Sequence, residues 1–346
     1  MGARVRRMGI VLSGLLLGGC GDVVAHRPPH ETGVFCRPDR VASVEPIVLP
    51  ATAPELPSDR AVGPGLFEYH SDAGIKIMVT ERGEFYSIGV TPQPRHPTGD
   101  GIEISPDGRW LLRRESPHLF SYSIRDLASS EVLAVSDAYF HGWSPDSKWA
   151  LFQPVLDEGP SRYVMLSLID GSRVQSRYQP VEGEPVVAVL PDGRVITTEA
   201  NAAGRMAWKQ VKIVNLYEAT VSAMPLTELV AAIKPGERSE AFFVSGDKPI
   251  MWLWLGQQSP DALSIIPTAM IAVDLGTGRV LVRHDITAQR EGPIGVWAED
   301  LITVKQTGTT MRLSVLDAET GRKRPFCYLS GQYDVDFRRD AGSVQG

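Results

Sequence analysis

Two kinds of turn alternate along this chain, and their order leaves few folds open. One kind follows a short apolar run: ISPDG (104–108), WSPDS (143–147), VLPDG (189–193), VSGDK (244–248), WAED (297–300) and FRRDAG (337–342). The other sits inside a strand–turn–strand: YSIRDLASSEVL (122–133), LSLIDGSRV (166–174), VKIVNLYEATV (211–221), IAVDLGTGRVL (271–281) and LSVLDAETGRK (313–323). Marked by their Asp or Asn, the turns fall at 107, 126, 146, 170, 192, 215, 247, 274, 300, 317 and 340, and the two kinds interleave throughout. Turns of the first kind are 39, 46, 55, 53 and 40 residues apart; those of the second are 44, 45, 59 and 43 apart. Pro-Asp-Gly presets one φ, offers an Asx hydrogen bond and ends on a residue tolerant of positive φ. A unit of about 45 residues with four short strands reads as one blade of a β-propeller.

Five such units run from about 101 to 325, leaving two pieces. Residues 66–90 read as three strands (LFEYH, IKIMVT, FYSIGV), and 332–337 (QYDVDF) as one. Three strands and one make a sixth blade built from both chain ends, which removes the open seam. Six blades over 66–346 take about 47 residues each; seven, the alternative, would take about 40, against the wide middle repeats. The segment Thr227 to Lys234 reads as a short inserted helix with Thr227 as cap and Pro235-Gly236 as stop.

The chain opens MGARVRRMGIVLSGLLLGGC. Three arginines precede an apolar stretch too short to span a bilayer, as in a secretory signal. The ending Leu17-Gly18-Gly19-Cys20 resembles the bacterial lipobox. That resemblance implies a signal peptide over 1–19 and lipidation of Cys20, with diacylglycerol and palmitate-like chains holding the protein to a membrane. Asp follows two places after the cysteine, at Asp22, so the outer membrane facing the periplasm is favoured over the inner membrane or the cell surface. Residues 20–65 are rich in proline and lack a helical period, so they read as a tether, with Val41 to Leu49 as its most strand-like part.

The apolar-Ser-Pro-Asp-Gly turn followed by a strand, clear at 104–112 and 143–152 and weaker in later repeats, resembles the TolB-like, WD-repeat-like propellers of bacterial envelopes. The resemblance covers about 66–342 and implies an all-β, six-bladed architecture. Propellers host scaffolds, receptors and enzymes alike, so it implies no particular chemistry.

With Cys20 lipidated, Cys36 and Cys327 remain, and they are expected to form a disulfide that staples the ring seam. No catalytic signature of the nucleophile-elbow, HExxH or P-loop type occurs, and the seven histidines are scattered. No cofactor and no metal are expected. The net charge of −6 argues against nucleic acid. The tryptophans within strands read as packing between blades. His141, on an inner strand, reads either as a ligand contact at the channel or as a hydrogen-bonded core histidine.

The loops crossing from one blade to the next carry Asp100, Asp137, Glu182, Glu184, Glu237, Glu240, Glu291 and Asp334 against few basic residues. Such carboxylates around a channel mouth would focus a negative potential on a cationic partner. The reading is therefore a membrane-anchored envelope lipoprotein whose propeller is a non-enzymatic platform for an envelope protein or peptide. The alternative is a propeller enzyme, lactonase-like or hydrolytic, with its site at the channel mouth.

Overall fold

The computed structural model describes residues 46–71, 74–90, 102–116, 119–155, 161–181, 184–200, 206–244, 248–258, 265–286, 291–297, 299–330 and 334–337. In chain order the strands begin with β1 (Ile47–Val48), β2 (Gly65–His70), β3 (Ile75–Thr80) and β4 (Phe85–Val90). The second blade holds β5 (Ile102–Ile104), β6 (Trp110–Ser116), β7 (Leu119–Asp126) and β8 (Val132–Val135). The third holds β9 (Ala138–Trp143), β10 (Trp149–Pro154), β11 (Val164–Ser167) and β12 (Arg173–Gln175). The fourth holds β13 (Val186–Val189), β14 (Val195–Ala200), β15 (Met206–Asn215) and β16 (Thr220–Pro225), after which comes the helix α1 (Thr227–Ala232). The fifth holds β17 (Arg238–Val244), β18 (Ile250–Gln258), β19 (Ile265–Asp274) and β20 (Arg279–Asp285). The sixth holds β21 (Glu291–Trp297), β22 (Asp300–Thr307), β23 (Thr310–Leu316) and β24 (Lys323–Ser330), and β25 (Asp334–Phe337) follows.

Each blade is an antiparallel meander, and β25 pairs with β2 in the order β25-β2-β3-β4. The ring is thus a six-bladed β-propeller, and the first blade joins both ends of the sequence. The first strands of successive blades approach one another, as β9 does β13 and β21 does β25, which puts them at the axis. The core sits between sheets: Leu112, Ile124, Phe152 and Leu166 between the second and third blades, Val187, Phe242, Leu253 and Ile271 between the fourth and fifth. Trp110, Trp143, Trp208 and Trp252 are buried there too.

The turn chemistry is local and repeats. The Ser105 hydroxyl donates to Asp107 Oδ1 (2.6 Å) and accepts the Trp110 N–H (2.8 Å). Ser144 does the same with Asp146 (2.7 Å) and Trp149 (2.9 Å). One serine therefore closes the turn and starts the next strand, which is why Ser precedes Pro-Asp. The second kind of turn uses its Asp as a cap. Asp126 accepts the Ala128 N–H (2.8 Å) and the Ser129 hydroxyl (3.0 Å), and Asp274 accepts the Gly276 N–H (2.7 Å). Arg109, from a turn of the first kind, binds Asp126 through Nε (3.1 Å) and Nη2 (2.6 Å). Both kinds close hairpins at the same end of a meander, so they share one rim of the ring. The other rim carries the hairpins between second and third strands and the crossings between blades. The last first-kind turn, 337–342, begins in β25 and otherwise lies outside the described residues.

Two local expectations change. The helix forms where expected, but Leu226 is its cap residue, no side chain caps it, and Thr227 is its first residue. Leu226 and Leu229 are buried, so packing rather than capping holds the segment helical. The stretch expected as tether is also partly structural: residues 46–64 form a strap along the ring. β1 lies parallel to β24, the Pro50 carbonyl accepts the Tyr69 hydroxyl (2.7 Å), and the Ser87 N–H donates to the Pro54 carbonyl (2.7 Å). Further on, Val62 N–H donates to the Gly108 carbonyl (3.1 Å). The strap passes so close there that a Cβ on Gly108 would sit 1.8 Å from the Gly63 oxygen, so this turn needs glycine for space as well as for its φ of +72°. Leu49 and Val62 anchor the strap, 1% and 4% exposed. It spans the sixth, first and second blades and so crosses the seam closed by β25.

Candidate functional site

The rim of crossings was the expected binding face. The sequence puts one or two carboxylates near the entry to each inner strand, and those whose side chains are described divide into two groups. Glu184, Glu237 and Glu291 are held inside their own blades. Glu184 accepts the Tyr178 hydroxyl (2.5 Å), the Thr197 hydroxyl (2.7 Å) and the Val181 N–H (3.2 Å), with Lys212 Nζ of β15 at 3.2 Å. Burial opposes its ionisation, but these donors outweigh it and hold the carboxyl below its ordinary range. Glu237 is gripped by both Arg283 terminal nitrogens (2.7 and 3.0 Å) and by the Lys234 N–H (2.7 Å). Burial again opposes ionisation, and the guanidinium prevails, so this carboxyl also lies low. Arg283 Nη1 further donates to the Ala232 carbonyl (2.7 Å), tying the end of α1 to β20. Glu291 pairs with Lys323 of β24. Each of these carboxylates ties an inner-strand entry to the third or fourth strand of its own blade.

Asp137 differs. It is exposed, adopts φ +52°, and no described side chain bonds it. Asp tolerates this left-handed conformation better than most residues. Two residues on, Tyr139 at the start of β9 is 45% exposed, and its ring lies 4.4 Å from that of Phe120. The Arg114 guanidinium sits 5.0 Å over the Phe120 ring. Phe120 is the second residue of β7 and Tyr139 the second of β9, so both lie by the crossing rim, at the boundary of the second and third blades. The result is an aromatic ledge beside an open carboxylate.

His141 lies on the same inner strand but is already engaged. Its Nε2 bonds Gln153 Oε1 (3.0 Å), and Gln153 Nε2 donates onward to the Ser161 carbonyl (3.2 Å). Tyr163 meets it edge-on at 5.5 Å. Burial pushes its pKa down, partly offset by Gln153.

Glu240 falls within β17 and Asp334 opens β25, and only their backbone is described. Cys20, Cys36, Asp100 and Glu182 lie outside the described residues. The structure thus puts His141 on β9 and Asp137 in the crossing just before that strand, and it separates Glu184, Glu237 and Glu291 among three blades. Sequence reading passed over Phe120 and Tyr139; an aromatic at the second position of a strand, just past a turn on this rim, was the available signal. Among the described residues no group of three or more His, Cys, Asp or Glu has metal-binding geometry.

Fold and rim together define a six-bladed β-propeller with an aromatic ledge on its crossing rim. Compared with known proteins, the chain matches no family model and no curated protein. Among solved structures it is similar to TolB from Acinetobacter baumannii, at 15% identity and a TM-score of 0.48, covering 80% of this chain and 66% of that one. It is also similar to a protein described as "putative TolB" from Agrobacterium tumefaciens, at 13% identity and a TM-score of 0.41, covering 80% of this chain and 99% of that one. At these identities the likeness concerns the arrangement of strands and nothing more.

Proposed function

We propose that this protein is a lipid-anchored envelope lipoprotein whose propeller is a non-enzymatic docking platform, engaged on its crossing rim by a basic segment of a partner protein or peptide. The observation that carries the docking surface is the Asp137–Tyr139–Phe120 ledge: Glu184, Glu237 and Glu291 are spent inside their blades, whereas Asp137 is exposed two residues before the exposed Tyr139, whose ring packs on the half-buried Phe120. A Lys or Arg from a partner would find a carboxylate and an aromatic face together, and Tyr and Phe are residues that concentrate binding energy at interfaces. Lipidation at Cys20 rests on the LGGC ending and would place the platform at a membrane, with the outer membrane facing the periplasm as the favoured site. The Cys36–Cys327 staple is supported by Cys327 itself, a disulfide-bonded residue only 4% exposed on β24.

Asp137→Lys with Tyr139→Ala tests the docking surface. Partner recovery from solubilised envelopes should fall at least tenfold while the melting temperature holds within about 2 °C, since both side chains are exposed. Undiminished recovery with the double variant would discard the ledge. Cys20→Ala tests the anchor: the variant should leave the membrane fraction or remain unprocessed, and fractionation like the parent would discard lipidation.

A further inference from the structure

The ledge is a packed surface with a flexible cation laid on it. Tyr122, two residues after Phe120, has its ring 6.5 Å from that of Phe140 and 6.1 Å from that of Phe152, and Phe140, beside Tyr139 in β9, meets Trp143 edge-on at 5.1 Å. Phe152 and Trp143 are 1% and 3% exposed, so the rings of the ledge continue inward into a close-packed core and keep their places. Arg114 comes from β6, where it pairs in register with Tyr122, and its guanidinium carbon lies 5.0 Å from the centre of the Phe120 ring. That is within cation–π range. The long arginine side chain has the rotamer freedom to leave; the rings do not.

We propose that the Phe120 face is a guanidinium slot, filled by Arg114 in the unliganded protein and by an arginine of the partner segment in the complex. The proposal rests on the ledge being the docking surface. The slot already shows which cation it takes. A guanidinium is planar and weakly hydrated, so it lies on a ring while its N–H groups point outward to acceptors, whereas a lysine ammonium is a hydrated point charge. Arg114 holds the ring without Asp137, since no described side chain bonds that carboxylate. An arginine arriving from outside gains both: the ring for its face and the Asp137 carboxylate for its fork of donors. That difference lets it displace Arg114. Arg114 is thereby a filter, because the apparent affinity of any ligand falls by the fraction of time the slot is open. A cation–π contact at an exposed site keeps the slot filled most of the time, so emptying it should tighten binding about three- to sixfold.

The test uses the detergent-solubilised full chain with para-fluorophenylalanine at position 120, whose fluorine resonance reports what lies on the ring. The probe is a peptide of alternating glycine and arginine, with its lysine counterpart for comparison. Without peptide, Arg114→Gln should shift the resonance and Arg113→Gln should not, because Arg113, exposed on the same strand, points to the other face of the sheet. The arginine peptide should bind more tightly than the lysine peptide, and Asp137→Lys should abolish its binding. Arg114→Gln should tighten the arginine peptide about three- to sixfold, and Arg113→Gln, which removes the same charge, should change it less than twofold. Binding that Asp137→Lys abolishes but Arg114→Gln leaves unchanged, an equal gain from Arg113→Gln, or no preference for arginine over lysine would overturn the slot and leave the ledge standing. No binding of either peptide, to the parent or to Arg114→Gln, would also overturn the slot. Binding indifferent to Asp137→Lys would overturn the ledge and the slot with it.

Discussion

The strap makes a quantitative claim about how the ring is closed. Leu49 is 1% exposed and packs with Tyr69, Leu313 and Leu329 in the cluster between the sixth and first blades. Truncation to alanine removes the transfer free energy of the lost methyl groups and leaves a cavity, which together cost about 2.7–5 kcal/mol at fully buried leucines. The strap lies at the periphery, where it can lift away instead of enclosing a void, so the lower end, about 3 kcal/mol, is expected. Tyr69→Phe removes the hydroxyl that holds the Pro50 carbonyl and should cost about 1 kcal/mol. The two changes should combine to less than their sum, because once the strap has lifted the hydrogen bond is already lost. Urea unfolding followed by tryptophan fluorescence gives the free energies. Amide exchange at Ser87, whose N–H is bonded to Pro54, reports strap lifting directly. A Leu49→Ala loss below about 0.5 kcal/mol, with Ser87 still protected, would refute a stabilising strap.

Three further outcomes follow from named contacts. Arg283→Met leaves Glu237 with its side chain 2% exposed and its main cation gone, so stability should fall by about 3–5 kcal/mol at pH 7, measured by urea unfolding; a loss under 1 kcal/mol would mean the pair is idle. Arg109 holds the Asp126 carboxyl down at about 2, so its contribution should be complete above the unfolded value of 3.8 and disappear as pH falls through about 2, and Asp126→Asn should flatten the stability profile in that window. Cys327→Ser should lower the melting temperature without abolishing the fold, by no more than the roughly 5 kcal/mol that chain entropy assigns to so long a loop; an unchanged melting temperature would remove the staple.

Blade number, hairpin order and the closing strand were legible because their determinants are local. A serine, a proline and an aspartate within five residues fix a turn wherever they occur, and the spacing of such turns counts the blades. The helix was legible from its composition, but its start was not: Leu226 caps it by packing, which no capping rule announces. The strap was hidden because a proline-rich stretch without periodicity looks like a spacer; its buried apolar anchors, Leu49 and Val62, are isolated in the sequence, and its backbone bonds reach distant strands. The carboxylates of the rim were legible as charge but not as free charge. The cations that pair with Glu184, Glu237 and Glu291 lie on the third or fourth strand of the same blade, Lys212, Arg283 and Lys323, and only the meander brings them together. Reversing Glu184 or Glu237 is consequently a change to the interior of a blade, whereas the sequence alone suggested a surface change. Tyr139 and Phe120 stayed unnoticed because they are 19 residues apart and meet only across two blades.

The central claim is that a partner docks at the ledge on the crossing rim. Site-specific photo-cross-linking in living cells tests it most directly, with the photoreactive residue placed at Tyr139 and, for comparison, at Ile169 on the hairpin rim, where exposure is 75%. The account expects a discrete adduct with an envelope protein from position 139, lost when Asp137→Lys is added, and none from position 169. Equal labelling from both positions, or an adduct at 139 that survives Asp137→Lys, would contradict it.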